Sequence, residues 1–214
     1  MQISQFVPPL LKGAEITVEL TLMGAFLALI LSFLGGLGKT QPYAILRWVI
    51  NLYIEVFRGT SLLVQMFWMY FVFPFFGIKL PAMLVGILAL GLNYGAYGSE
   101  VVYSAIRAVP KGQWEAAIAL NFTKRQQMWL IIMPQAIRMM IPTLGNMLID
   151  LLKNTSIVSL ITVSDLTFQG LLLQQDGAHT STIFTLLLIL YFAMAYPLRL
   201  GVSWIEKRFD VGRG

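Results

Sequence analysis

Long apolar runs, separated by short polar and basic intervals, organise this sequence. A helix needs roughly 20 mostly apolar residues to cross about 30 Å of hydrocarbon. Five segments meet or approach that length: 16–38, 60–78, 82–106, 134–152 and 182–204. They do not alternate with a period of two and are too long for barrel strands, so membrane helices are predicted. Two intervals are unlike ordinary connections. Residues 43–57, "YAILRWVINLYIEVF", are amphipathic and predict a helix lying along, or leading into, the second span. Residues 153–181 contain the apolar run "SIVSLITV", broken by Asn154, Thr155, Ser156 and Ser159. That pattern reads as a re-entrant or broken helix, tolerated at membrane depth where it packs in protein or lines a cavity. With no internal repeat or low-complexity stretch, residues 1–214 are expected to form a single all-α transmembrane domain.

Composition agrees with the pattern. The chain is 57% hydrophobic and 12% charged, with a mean hydropathy of +0.75; a soluble domain is nearer 45–50% apolar and 25% charged. The net charge of +5 is explained by basic residues placed between the spans rather than by a nucleic-acid partner. Lys39, Arg47 and Arg58 follow the first span; Arg107, Lys111, Lys124 and Arg125 follow the third; Lys207, Arg208 and Arg213 follow the fifth. The other side holds Lys12, Lys79 and Lys153. The positive-inside rule then puts the N-terminus outside and the C-terminus in the cytoplasm, a parity that five spans satisfy. "MQISQFVPPLLKGAE" lacks the basic start and small-residue cleavage site of a signal peptide. The absence of cysteine excludes disulfides and thiolate chemistry, and the single His179 excludes a multi-histidine metal site. No Gly-x-Ser-x-Gly or His-Glu-x-x-His motif is present, so neither catalytic nor metal residues are assigned.

Ionisable groups inside spans are costly and draw attention. Asn93, Tyr97 and Glu100 recur at i, i+4 and i+7 and share one helix face. They could line a water-filled pathway, or Glu100 could form an ion pair with Arg138 or Arg107. Asp150 and Lys153 are spaced to pair with each other. Asp165, in "SDLTF", could cap a short helix or contact a solute. Thr155 joins Asn93, Tyr97, Glu100 and Asp165 as a candidate pathway residue. His179 lies in a polar loop and reads as a solvent-exposed residue. The aromatics of "MFWMYFVFPFF" read as lipid-facing bulk and interface anchors.

The connection at 107–133 is too long and too patterned for a turn. Pro110 stops the preceding helix, Gly112 gives a flexible entry, and "QWEAAIAL" predicts a short helix with Glu115 in its first turn. Ala116, Ala117 and Ala119 keep that helix thin, Asn121 suits a left-handed ending, and Thr123 caps a second short helix running to Pro134. A thin, capped helix of this kind serves as a docking element for a cytosolic protein, or as an ordinary surface helix. "GGLGKT", 35–40, resembles the end of a phosphate loop, but Phe33 stands where the first Gly is needed and a membrane helix precedes it in place of a strand. Gly35, Gly36 and Gly38 are therefore expected to end the first span, with Lys39 at its border.

"GQWEAAIALNFTKRQQMWLIIMP" resembles the EAA motif of ABC-importer membrane subunits: Glu115, Ala116, Ala117, Ile131 and Pro134 match, while Asn121 and Met133 replace the usual Gly and Leu. "EVFRGTSLLVQMFWMYFVFP" resembles the Glu-x-x-Arg-Gly-Thr-Pro signature of the polar amino-acid permease branch, with Ser61 for Pro. "YGAYGSEVVYSAIRAVPKGQ" and "LLKNTSIVSLITVSDLTFQG" resemble that branch too, and "ALN" with "SLITVSDLTF" is most similar to ectoine/hydroxyectoine permeases. The resemblance implies a type I ABC importer permease with five spans in a bacterial inner membrane. It also implies a second, identical or paralogous permease, a dimer of ATPase subunits that bind ATP and magnesium, and an external solute-binding protein. The solute would be a polar or zwitterionic amino acid (arginine, histidine, glutamine or glutamate) or ectoine. The family's coupling helix maps onto Gly112, Glu115, Ala116, Ala117 and Asn121. An ion or solute channel is the other class, but it has no need of a patterned docking helix.

Overall fold

The computed structural model describes residues 6–175 and 179–209. Arg213, counted above among the C-terminal basic residues, lies outside them. The described residues form helices joined by short turns: α1 (Val7–Lys39), α2 (Ala44–Gly59), α3 (Leu62–Phe67), α4 (Ala82–Ala108), α5 (Lys111–Ala119), α6 (Lys124–Gln126), α7 (Met133–Asn154), α8 (Leu166–Gln175) and α9 (Thr180–Phe209). Four stretches among them are long and apolar enough to cross a membrane singly, and α2 with α3 makes a fifth as a pair bent by 104°.

α1 begins nine residues before the expected 16. Pro8 and Pro9 occupy its first turn, where a missing N–H is no loss and the fixed φ suits a helix. Lys12, Glu15 and Glu19 interrupt the apolar run without interrupting the backbone. The glycines of GGLGKT form the last turns of α1 and Lys39 is its final residue, as expected. A Cβ at Gly35 would overlap Ser99, and one at Gly36 would meet Val102 at 2.5 Å. They are contact points between helices.

That seam organises the bundle. Residue i of α1 faces residue i+66 of α4: Leu20 lies against Gly86, Gly24 against Leu90 and Gly36 against Val102. A constant positive offset means that the two helices run in the same direction. The chain must therefore cross back between them, and the α2–α3 pair is the segment that does so. Helix packing without a hydrophobic driving force depends on such small residues, which let backbones approach.

The break between α2 and α3 frees backbone carbonyls, and polar side chains satisfy them. Gln65 Nε2 donates to the carbonyls of Phe57 (2.9 Å) and Thr60 (3.2 Å) and to Thr60 Oγ1 (2.7 Å). Asn93 Nδ2 donates to the same Phe57 carbonyl at 2.9 Å and to Gln65 Oε1 at 3.2 Å. α3 then passes through a π turn, Trp68–Val72, and a 3-10 turn, Phe73–Phe76. The amphipathic segment at 43–57 thus leads into the second span as its first half.

The second short helix does not stop at Pro134. A capping box joins Thr123 and Gln126, and a π turn, Gln127–Ile132, carries the chain into α7 with Pro134 in that helix's first turn. The wider turn accommodates the proline's missing donor. Between α7 and α9 the backbone breaks as expected, into a 3-10 turn at Thr155–Ile161 and the short α8. His179 is exposed.

Candidate functional site

A cavity of about 980 Å³ opens between α2, α3, α4 and α7. The face of α4 carrying Asn93, Tyr97 and Glu100 forms one wall, with Arg58, Thr60 and Ser61 beside it and Asp150 and Asn154 contributed by α7. Tyr97 and Glu100 also border a second cavity of about 580 Å³, shared with Lys39, Glu55 and Arg58. The larger cavity mixes these polar groups with an apolar lining that includes Leu62, Met139, Met140 and Met147, and the smaller is mainly polar.

Arg58 ends α2 and lies over the ring of Tyr97, its guanidinium carbon 5.1 Å from the centroid. Among the described residues no carboxylate reaches it within salt-bridge distance. Asp150 does meet Lys153, at 3.4 Å, but both side chains are exposed, so this pair is weak and leaves the carboxylate available. Asn154 Nδ2 donates to the Tyr94 hydroxyl at 2.6 Å, which orients both side chains toward the cavity. A stacked cation and an exposed carboxylate lining one cavity can receive a zwitterion's two charged ends. The sequence alone points to neither: Arg58 reads as a topology marker and Asp150 as half of a local pair with Lys153.

Glu100 does form an ion pair, but with Lys39 rather than with Arg138 or Arg107. Arg138 is exposed, and Arg107 donates to the Tyr103 hydroxyl at 3.2 Å. Lys39 also lies over the Tyr103 ring, 4.7 Å from its centroid. It is therefore a partly buried structural cation, not a free border residue.

Thr155 and Asp165 do not line the cavity. Thr155 is fully buried and donates to the Leu152 carbonyl at 2.7 Å. Asp165 is fully buried and caps α8, accepting from the Phe168 N–H at 2.9 Å. Tyr191 donates to its other oxygen at 3.4 Å and shares a 2.9 Å hydrogen bond with Thr167. Thr17 accepts from the Leu166 N–H at 3.1 Å. Gly13 is in backbone contact with Asp165 and Leu166. This network ties α1, α8 and α9 together. Burial pushes the Asp165 carboxyl up to about 6, against the lowering effect of its hydrogen bonds.

At the other end of the bundle, α5 stands between α4 and α6. It starts at Lys111, earlier than expected, so Gly112 lies within its first turn and Glu115 within its second. Glu115 is thus too far along to gain much from the helix dipole, which acts within one turn. Trp114 and Ala117 face inward; Ala117 is 2% exposed, so it anchors the helix and presents nothing to a partner. Gly112, Glu115, Ala116 and Ala119 share the outer face, all exposed. Ile118 and Leu120 are 60% and 67% exposed. Asn121 ends the helix with φ 58°, as a left-handed terminus requires. The outer face is shallow, apolar and carries one carboxylate.

Comparison with known proteins shows the family. Residues 21–211 match the family model described as binding-protein-dependent transport system inner membrane component. The chain is 42% identical, over 98% of its length and 90% of the relative's, to the probable amino-acid ABC transporter permease protein y4tF of Sinorhizobium fredii. It is 35% identical, over 96% and 88%, to the L-cystine transport system permease protein TcyB of Bacillus subtilis. A solved amino acid ABC transporter, determined with histidines, superimposes with a TM-score of 0.91 at 33% identity over 96% of both chains. An inward-facing MetNI methionine ABC transporter shares the fold at a TM-score of 0.80 and 19% identity, over 98% of this chain and 99% of that one. This chain is a non-enzymatic membrane subunit that belongs to the binding-protein-dependent inner-membrane transport components, in the amino-acid permease branch of the type I ABC importers.

Proposed function

We propose that this chain, paired with a second permease, carries a polar amino acid inward across a bacterial inner membrane by alternating access. The observation that carries this reading is the pair of opposite charges on the 980 Å³ cavity, Arg58 and Asp150. Arg58 receives the α-carboxylate and Asp150 the ammonium group, while Asn93, Tyr97 and Asn154 supply directional polar contacts. Relatives named for L-cystine and glutamine support the amino-acid class over ectoine. Thr155 and Asp165 act through packing rather than by touching the solute.

The partners follow from the same reading. A dimer of ATPase subunits binds ATP and magnesium and seats α5 in a groove, contacting Gly112, Glu115, Ala116 and the Asn121 turn. A solute-binding protein delivers cargo at the opposite face. The second permease is an identical chain or a paralogue; a paralogous pairing is supported by the 37% identity to y4tG, a second probable permease of the same Sinorhizobium strain. The basic residues at the α1, α4 and α9 ends support an outside N-terminus and a cytoplasmic C-terminus.

Uptake by the reconstituted complex tests the cavity. Arg58→Gln and Asp150→Asn each lower amino-acid uptake about tenfold or more, as loss of a charge-assisted contact predicts. Normal uptake by both variants contradicts the assignment. Single cysteines introduced at the termini of this cysteine-free chain report orientation by labelling from either side.

A further inference from the structure

We infer that a basic pocket at the Lys39 end of α1 holds the phosphate-bearing headgroup of an anionic phospholipid. The pocket, about 600 Å³, is formed where separate elements converge. The α1–α2 turn contributes Thr40, Gln41 and Pro42, and α2 contributes Arg47. Lys124 and Arg125 come from α6, and Trp114 reaches in from α5.

The charge is one-sided. Arg47, Lys124 and Arg125 all line the pocket, and no acidic residue does. Among the described residues, none of the three has a carboxylate within salt-bridge distance. All three residues are exposed, and like charges bordering one hollow make it attractive to an anion. The guanidinium forks of Arg47 and Arg125 suit the oxygens of a phosphate.

Free phosphate and a lipid headgroup share this chemistry, and the surroundings favour the lipid. The pocket is too large for phosphate alone. Leu37, Met128 and Trp129 give it an apolar side, and Trp129 is itself 52% exposed. Indole rings beside basic residues mark the headgroup level of a bilayer. Basic pockets between membrane helices at the cytoplasmic side suit anionic headgroups. The choice of leaflet rests on the orientation proposed above; occupancy of the pocket does not.

Occupancy would reach the docking helix through Trp114, whose side chain lines the pocket and whose backbone belongs to α5. A bound headgroup fills the space behind α5 and braces it against the load that a docked ATPase applies.

Native mass spectrometry of the whole importer complex tests this, with phosphatidylglycerol as the probe in phosphatidylcholine nanodiscs. Wild type retains one phosphatidylglycerol per chain. Each neutralisation, Arg47→Gln, Lys124→Gln or Arg125→Gln, weakens retention roughly fivefold, and the three together on the order of a hundredfold. Lys124→Arg keeps it. Millimolar inorganic phosphate does not displace the lipid. Equal retention by wild type and the single variants overturns the inference, as does displacement by inorganic phosphate, which would make the pocket a soluble-anion site. Neither readout involves transport, so failure here leaves the amino-acid reading untouched, and terminal labelling tests the leaflet separately.

Discussion

Lys39, the last residue of α1, is ion-paired with Glu100 near the middle of α4's second half, sixty-one residues along the chain. The side chains are only 14% and 27% exposed. Glu100 and Tyr97 also separate the two cavities. The pair therefore fixes the register of the α1–α4 seam at the edge of the candidate pathway. A partly buried pair of this kind is most costly when one partner is lost, because the other charge remains desolvated.

Lys39→Met and Glu100→Gln should each lower the thermal midpoint of the detergent-solubilised complex. The corresponding loss is about 1–3 kcal/mol, below the 3–5 kcal/mol of fully buried pairs. The double variant should lose less than the sum of the two. Strict additivity in a double-mutant cycle would show that the two residues are not coupled.

The small-residue seam predicts a steric effect. A Cβ at Gly98 would overlap the Ser32 side chain, and Ser32 is itself buried and bonded to the Ala28 carbonyl. Gly98→Val should destabilise by about 1–3 kcal/mol or prevent assembly, as overpacking does. Gly112→Ala, on an open surface of α5, should leave the thermal midpoint unchanged or slightly raised. Equal melting of Gly98→Val and wild type would refute the close packing.

The Gln65 clamp predicts a polar effect. Gln65→Leu keeps the volume but strips the Thr60 carbonyl of its side-chain donor and Asn93 of the Gln65 acceptor, leaving Asn93 as the Phe57 carbonyl's one side-chain donor. A loss of about 1–3 kcal/mol should follow, together with faster hydrogen exchange around the α2–α3 break. Unchanged exchange there would mean that the break needs no side-chain support.

Asp165 predicts a pH effect. Its carboxyl is raised from 3.8 to about 6 by burial, so the folded chain holds the proton more tightly than the unfolded chain. The linked stability is complete below pH 3.8 and is lost as pH rises through 6, a change of about 3 kcal/mol. Asparagine retains a cap acceptor without the charge. Asp165→Asn should therefore flatten the melting profile between pH 4 and 6 and raise the midpoint at neutral pH. A profile identical to wild type would remove the carboxyl as its source.

Much of this architecture is legible in the residues. The spans show because length and apolarity suffice to define them. The α5 module shows because Pro110, Asn121 and Thr123 are local signals whose meaning does not depend on distant partners. The early start of α1 is hidden because Lys12 and Glu15 dilute hydropathy before residue 16 without disturbing helix geometry. The Lys39–Glu100 pair is hidden because it depends on which face of α1 meets α4, and the alternatives Arg107 and Arg138 are nearer in sequence. Arg58 could have been found from its position beside Gly59, Thr60 and Ser61, where a polar break follows an amphipathic helix. Asp150 was masked by Lys153, a pairing that exists and yet leaves the carboxylate on the cavity wall.

Nucleotide energy is proposed to enter through α5 from another polypeptide. ATP-driven uptake and ATPase turnover, measured together on the reconstituted complex carrying Glu115→Lys, test it most directly. The account predicts an assembled or weakened complex whose uptake falls about tenfold or more while ATP hydrolysis persists, as expected for a reversed charge in a docked interface. Wild-type uptake by that variant would contradict it.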